Sequence, residues 1–387
     1  MVNSDGIQIR SASLDGAEVS WFAPICDGDD RYLGERSMQY KSNWKNTSEI
    51  LLSADENGYR NILCPSSYQV GQDTLTFASA VAPLTQQINL LTAIRCGEVH
   101  PPMLARALST LDHILNGRLT INIISSNLPG EDLSSEARYQ RSREVIEILK
   151  QCWTQEEINF KGEFYNLQLS TTNPVKPYQK GGPLLYFGGY SPPAVDLCAE
   201  HCDVYLMWPE TEEKLMGLMK NMSDKAAGYG RTVDFGLRIH VVVRETEEEA
   251  RAYANSIISK LDVATGDELR NRALDAKSYG VSRQAEMREI AADDGFIEDH
   301  VWTGIGKGRS GCGAALVGTP DQIVAKIHRY MDMGIRSFIF SGYPHLEECE
   351  NFAQLVLPRL KTVSLPQVQG RVGDHAPETP LAAGIRV

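Results

Sequence analysis

Several signatures are missing from this chain of 387 residues, and each absence removes a class of protein. The eight cysteines are scattered, and the closest pair is Cys198 and Cys202. There is no CxxC and no His/Cys pair at ligand spacing, so neither a structural metal nor a disulfide framework is expected, and the thiols read as free in a reducing cytosol. The opening stretch, MVNSDGIQIRSASLDG, has no apolar segment of the kind a secretory signal carries. No uninterrupted apolar run approaches the roughly 18 residues of a membrane span. Lysine and arginine are not clustered, and the formal charge is −12. A nucleic-acid surface is therefore not expected, although one local Arg/His cluster can oppose the global sign and hold a small anion. What remains is a cytoplasmic globular chain, 42% apolar and 23% charged.

Short β-branched runs recur along the sequence: EVSWFA (18–23), RNILC (60–64), INLLTAI (88–94), RLTINII (118–124), LLYFG (184–188), DVYLMW (203–208), FGLRIHVVV (235–243) and SFIFSG (337–342). Amphipathic helical patterns separate them. TSEILLSADENG reads as a helix capped by Thr47 and stopped by Gly58, and PPMLARALSTLDHILNG places Leu104, Leu108, Leu111 and Leu115 on one face. SEARYQRSREVIEILKQCW and TPDQIVAKIHRYMDMG follow the same rule. Eight strands alternating with helices over about 250 residues or more predict a (β/α)8 barrel of the TIM type, with a doubly wound open sheet as the runner-up. The expected organisation is one domain over 1–365, with a tail over 366–387 that is disordered or docked on a neighbouring subunit.

Two regions break the rhythm. Residues 154–183 read as a small hairpin followed by a proline-rich connection. Residues 262–311 form a long, charged, glycine-punctuated insertion between strands seven and eight, and such loops act as lids. Within it GIGKGRSGCG contains the spacing GxGxxG. A dinucleotide fingerprint needs a strand before it and a helix opening at its third glycine, and neither stands there. A hinge that folds a loop over a ligand explains the glycines, and Arg309 among them is a permanent cation suited to an oxyanion.

In a barrel, chemistry gathers at the C-terminal ends of the strands. Strand seven carries Arg238 and His240 in alternation with Leu237, Ile239 and Val241, so both polar side chains face one way. If the apolar set meets the helices, these two face the barrel mouth. The neighbouring strands end in Trp208 and in Tyr343 and His345. Together they suit a small anion with an organic group. After strand five, YFGGYS offers a turn at Gly188 and Gly189 and a helix opening at Ser191, which suits a phosphate.

These residues carry a likeness to a known group. PLLYFGGYSPPAVDLCAEHCDVYLMW, LRIHVVVRET and SGYPHLEE resemble the flavin-dependent alkanesulfonate monooxygenases of the bacterial-luciferase-like superfamily, including the branch that acts on the sulfosugar sulfoquinovose. The resemblance implies reduced FMN as cofactor, delivered by a separate NAD(P)H-dependent flavin reductase. It also implies O2-dependent cleavage of a C–S bond to give an aldehyde and sulfite, and a homo-oligomer (dimer or tetramer). It assigns Arg238, His240, Tyr343 and Trp208 to a sulfonate pocket, His345 to its side and Arg309 to the lid. It puts Asn122 and Ser125 beside the flavin ring, and Tyr139 and Ser191 near its phosphate. Cys26 stands where the simple alkanesulfonate enzymes have histidine, and PSSYQVGQD lacks their cysteine. The hydroxyls and amides of Ser66, Ser67, Gln69, Ser126 and Asn127 suit a polyol. The proton acceptor is left open between His240, for its ordinary pKa, and Arg309, for its place on the lid. Other readings are a related monooxygenase acting on a sulfone or an amide, and a non-catalytic flavin-binding barrel.

Overall fold

Period-two alternation settles which way the most informative strand faces. Over Asp234–Val243, the side chains of Leu237, Ile239, Val241 and Val243 enter the large core between strands and helices, and Arg238 and His240 turn to the other side. The computed structural model describes residues 6–26, 28–35, 42–170, 176–271, 279–309 and 311–377.

In chain order, β1 (Glu18–Phe22), α1 (Trp44–Glu56), β2 (Asn61–Cys64), α2 (Thr74–Val81), β3 (Asn89–Arg95), α3 (Pro101–Ile114), β4 (Leu119–Ile124) and α4 (Ser135–Thr154) form the first half. A hairpin of β5 (Glu157–Lys161) and β6 (Asn166–Ser170) follows, then β7 (Leu184–Gly188), α5 (Pro192–His201), β8 (Val204–Met207), α6 (Glu212–Gly228) and β9 (Asp234–Val243). After α7 (Glu247–Ile257) come α8 (Val263–Asn271), α9 (Tyr279–Ile290), β10 (Phe296–Glu298), β11 (Val301–Trp302) and β12 (Ala315–Gly318). The chain then runs through α10 (Pro320–Met333), β13 (Ile335–Ser341), α11 (His345–Leu355) and a short α12 (Leu365–Val368).

The order β1-β2-β3-β4-β7-β8-β9-β13 is parallel throughout, and β13 pairs back to β1, which closes a (β/α)8 barrel. All eight expected strands are present. Inside the barrel Leu63, Leu91, Tyr186, Leu206 and Ile339 pack on one another. At the N-terminal end the carboxylate of Glu18 is fully buried and accepts from the Tyr186 hydroxyl at 2.7 Å, from Asn61, Ser337 and Asn89, and from the Leu365 amide.

Four expectations change. The helix expected to start at Thr47 starts a turn earlier, because the Asn43 side chain accepts from the Asn46 amide and is the cap; Thr47 lies inside it. Thr319 and Gln322 do form the expected kind of start on α10, as a reciprocal capping box, and Gly334 ends that helix with φ +115.

The insertion over 262–311 is not a bare loop. It carries α8 and α9, and β10 and β11 extend as antiparallel strands onto β12, which joins the C-terminal half of β9 in parallel. Residues 272–278 and 310 of it lie outside the described residues, as do 1–5 of the N-terminal stretch and 171–175 of the proline-rich connection.

The glycines of GIGKGRSGCG answer to packing rather than to left-handed torsions. Neither Gly304, Gly306 nor Gly313 has a positive φ, and a Cβ on Gly304 would lie 2.1 Å from the Trp302 indole. Finally, the segment expected to dangle or to reach a neighbour begins on its own barrel. Within the expected tail the Gln369 side chain donates to Asp234, and Arg371 pairs with Asp203. Residues 378–387 lie outside the described residues. No described helix is long and apolar enough to cross a membrane.

Candidate active site

Strand pairing brings the first group of expected residues together. β13 pairs with β9 so that Ile339 stands opposite Arg238 and Ser341 opposite His240. Arg238 is 8% exposed. Its Nη1 donates to the carbonyls of Ile239 and Ile339 at 3.3 and 3.4 Å, and its guanidinium lies over the Phe22 ring at 4.6 Å. No carboxylate among the described residues pairs with it. Burial, and then the nearby Arg309, lower its pKa, but from a value so high that the charge persists. A buried cation without a counter-ion is destabilising, so its retention points to an anionic ligand.

His240 stacks on Tyr343 with ring centroids 5.6 Å apart, and Tyr343 meets His345 edge-on at 4.9 Å. The Ser341 hydroxyl lies 2.6 Å from His240 Nδ1. Burial pushes the His240 pKa well below 6.5, and the fields of Arg238, Arg309 and His345 push the same way, so this ring is neutral at pH 7. The guanidinium of Arg309 reaches in from the insertion to 5.9 Å from the Tyr343 ring. Trp208 stands slightly apart. Its indole packs at Tyr190 and at Gly280 and Gly311 of the insertion, and Cys312, the residue after Gly311, donates its thiol to the Arg238 carbonyl at 3.2 Å.

The second group gathers on the adjacent strands β4 and β7, where Asn122 pairs with Tyr186. Asn122 alternates with Thr120, which bonds to Asn61 inside the barrel, so it also faces inward. Ser125 follows β4, and its hydroxyl is buried without a partner among the described residues. Tyr139 on α4 meets Phe187 edge-on at 6.3 Å and borders a cleft of about 490 Å³ that Pro193 also lines. Gly188 and Gly189 form the turn after β7. Gly189 is required there, because a Cβ would lie 2.7 Å from that of Ala194. Ser191 caps α5, with no side-chain cap bond. The first two residues of α5 are Pro192 and Pro193, so this helix start offers fewer N–H donors than the reading of YFGGYS assumed.

Two contributors went unmarked. Asp29, fully buried, accepts from the His345 amide at 2.7 Å and lies 2.5 Å from His345 Nδ1. It stands in CDGDD, an acidic loop whose three carboxylates look alike in sequence. Arg95, the last residue of β3 and one beyond the run read as a strand in the sequence, donates to Ser126 at 2.8 Å and to Ser66 at 3.3 Å, with Tyr68 over its guanidinium. Two of the expected polyol-binding hydroxyls are thus held by one arginine. Asn127 accepts from the Leu133 amide, and Ser67 from the Gln69 amide. Gly71 fits the loop after β2 tightly against Ile25 and Cys26, where a Cβ would lie 2.1 Å from the Ile25 carbonyl oxygen. Among the described residues, Glu147, Glu200 and His201 are the grouping with metal-ligand proximity. Burial, with Lys150, Arg143 and Arg231, pushes His201 down to about 3, and the same cations oppose a divalent ion there.

The family described as luciferase-like monooxygenase matches residues 17–337. A sulfoquinovose monooxygenase of Agrobacterium fabrum (strain C58 / ATCC 33970) is 55% identical over 381 residues, spanning 98% of this chain and 99% of its own. A sulfoquinovose monooxygenase of Novosphingobium aromaticivorans is 49% identical over 350 residues, spanning 89% and 96%. Among solved structures, a long-chain alkane monooxygenase superposes with a TM-score of 0.72 over 95% of each chain at 18% identity, a likeness of fold.

Proposed function

The chain belongs to the luciferase-like monooxygenase family, and from that premise we propose that it is a reduced-FMN-dependent monooxygenase that cleaves the C–S bond of an organosulfonate. We take the sulfosugar sulfoquinovose as the substrate, in line with the relatives that carry that name. The products are an aldehyde and sulfite, with one oxygen atom of O2 entering the substrate and the other leaving as water.

One observation carries the reading: Arg238 is buried beside Arg309, His240 and Tyr343 with no carboxylate among the described residues to neutralise it. A sulfonate accepts charge-assisted hydrogen bonds from such groups, each contributing about 1.5–3 kcal/mol. The rim offers a fit for the flavin too. Asn122 and the buried Ser125 hydroxyl would hold the flavin ring, and Tyr139, which borders the cleft beside α4, and Ser191 would hold its phosphate. Bound reduced flavin supplies the two electrons that activate O2. A separate NAD(P)H-dependent flavin reductase provides it, since GIGKGRSGCG sits between strands of the insertion rather than in a dinucleotide fold. The insertion closes over the pair, brings Arg309 in and excludes water. Arg95, by holding Ser66 and Ser126, presents hydroxyls to the sugar.

The test is a sulfite assay with sulfoquinovose, methanesulfonate and a longer alkanesulfonate, each with O2, FMN, NAD(P)H and a flavin reductase. Sulfite from the sulfosugar, well above the other two, is expected. Sulfite from none of them rejects sulfonate cleavage, and release from the alkanesulfonate alone rejects the sugar.

A further inference from the structure

The two histidines of the pocket are placed for different work. His240 lies among cations, with Arg238 and Arg309 close enough to act on its charge and Ser341 at its Nδ1. A proton gained there adds a third positive charge between two guanidiniums. His345 faces a carboxylate instead. One oxygen of Asp29 accepts from both its backbone N–H and its Nδ1 side, at 2.7 and 2.5 Å. That contact puts the ring proton of neutral His345 on Nδ1 and leaves the lone pair on Nε2. Nε2 is buried, in a residue only 1% exposed, and has no hydrogen-bond partner among the described residues. The ring is wedged between Tyr343 and Phe22, the same Phe22 that carries the Arg238 guanidinium. An acceptor atom sealed beside an anion pocket and left without a donor points to a ligand that brings one.

We propose that His345 Nε2 is the proton acceptor of the reaction and that Asp29 is the positioning residue that fixes its tautomer and direction. The assignment rests on the sulfonate reading above. In the step it serves, the carbon that bears sulfur gains an oxygen atom from O2, with the electrons of reduced flavin, and forms a C=O bond. The C–S electron pair leaves with sulfite. One hydrogen of that carbon departs as the proton that Nε2 takes up and later passes to solvent. The imidazolium so formed keeps the Asp29 carboxylate as its counter-ion.

The experiment compares the full chain with Asp29→Asn, His345→Gln and His345→Gly, each supplied with FMN, the reductase and sulfoquinovose. General-base catalysis is worth about 10²–10⁴-fold, so Asp29→Asn and His345→Gln should each lower kcat by about 10²-fold or more while KM stays within about three-fold. Added imidazole should restore part of the kcat of His345→Gly. Nitrogen-15 NMR of the ligand-free protein should show His345 protonated at Nδ1 and not at Nε2, a pattern lost in Asp29→Asn. Wild-type kcat in Asp29→Asn or His345→Gln, a rise in KM alone, or the opposite tautomer overturns the assignment. If Asp29→Asn does not fold, the imidazole rescue and the wild-type NMR decide. If the wild type releases no sulfite at all, the functional reading fails first, and the tautomer is still read without substrate.

Discussion

The two ends of this barrel bury opposite charges in opposite company. At the N-terminal end the Glu18 carboxylate has five donors around it, one of them from the chain's own C-terminal segment. At the C-terminal end the Arg238 guanidinium has two long carbonyl contacts and an aromatic ring, and Ser125, Asp29 and His345 each leave a buried polar atom unmatched. A satisfied buried charge holds a fold together; an unsatisfied one is tolerated where a ligand completes it. On the proposed reading, stability is concentrated at one end and binding at the other, which is the usual division in this architecture.

That contrast is broken most severely at Arg238. Replacing Arg238 with Met should lower kcat/KM for the sulfonate by about 10³-fold or more. It should also raise the denaturant midpoint, because a solvation penalty is removed and no ion pair among the described residues is lost. Near-normal turnover, measured by sulfite release, places the anion site elsewhere. A lower midpoint means the cation is satisfied in the resting protein after all.

At the other end the effects reverse. Tyr186→Phe removes the shortest bond to Glu18 and should cost about 1–3 kcal/mol of stability in urea unfolding, with kcat/KM within about two-fold of normal. Loss of activity at unchanged stability makes the lower end part of the site.

The smallest effect is in pH dependence. Burial pushes the Glu18 pKa up from 4.5, against the pull of Tyr186, Asn61, Leu365 and Ser337. The folded state thus holds this proton more tightly than the unfolded chain does. Its contribution is fully present below pH 4.5 and is lost as pH rises through the folded value. Glu18→Gln, uncharged throughout, should flatten stability against pH just above 4.5, by at most about 1.4 kcal/mol per pH unit. An unchanged slope means that Glu18 titrates alike in both states.

Much of the molecule was legible from short stretches. The barrel strands show as β-branched runs, and alternation along β9 puts Arg238 and His240 on one face. Where the reading missed, the deciding contact was distant or purely steric. Asp29 sits among look-alike acids, and its partner is 316 positions away. Gly304 reads as a hinge in sequence, yet the Trp302 indole occupies the space a side chain would need. The charged segments of 262–311 lack a clean apolar stripe, so α8 and α9 went unread. Asn43 displaced Thr47 as a cap because either can serve, and neighbouring structure chose.

The sequence by itself determined the eight barrel strands, several of the helices between them and the face on which the polar residues of β9 lie. These depend on backbone geometry within a few residues, and the order of side chains along the chain records it. Tertiary structure decided which carboxylate meets His345, which charges lack partners, and that Arg309 from the insertion lies beside Tyr343. Those facts exist only once β13 pairs with β1 and closes the ring, because closure brings distant loops to one rim and removes the water that would otherwise solvate each group alone.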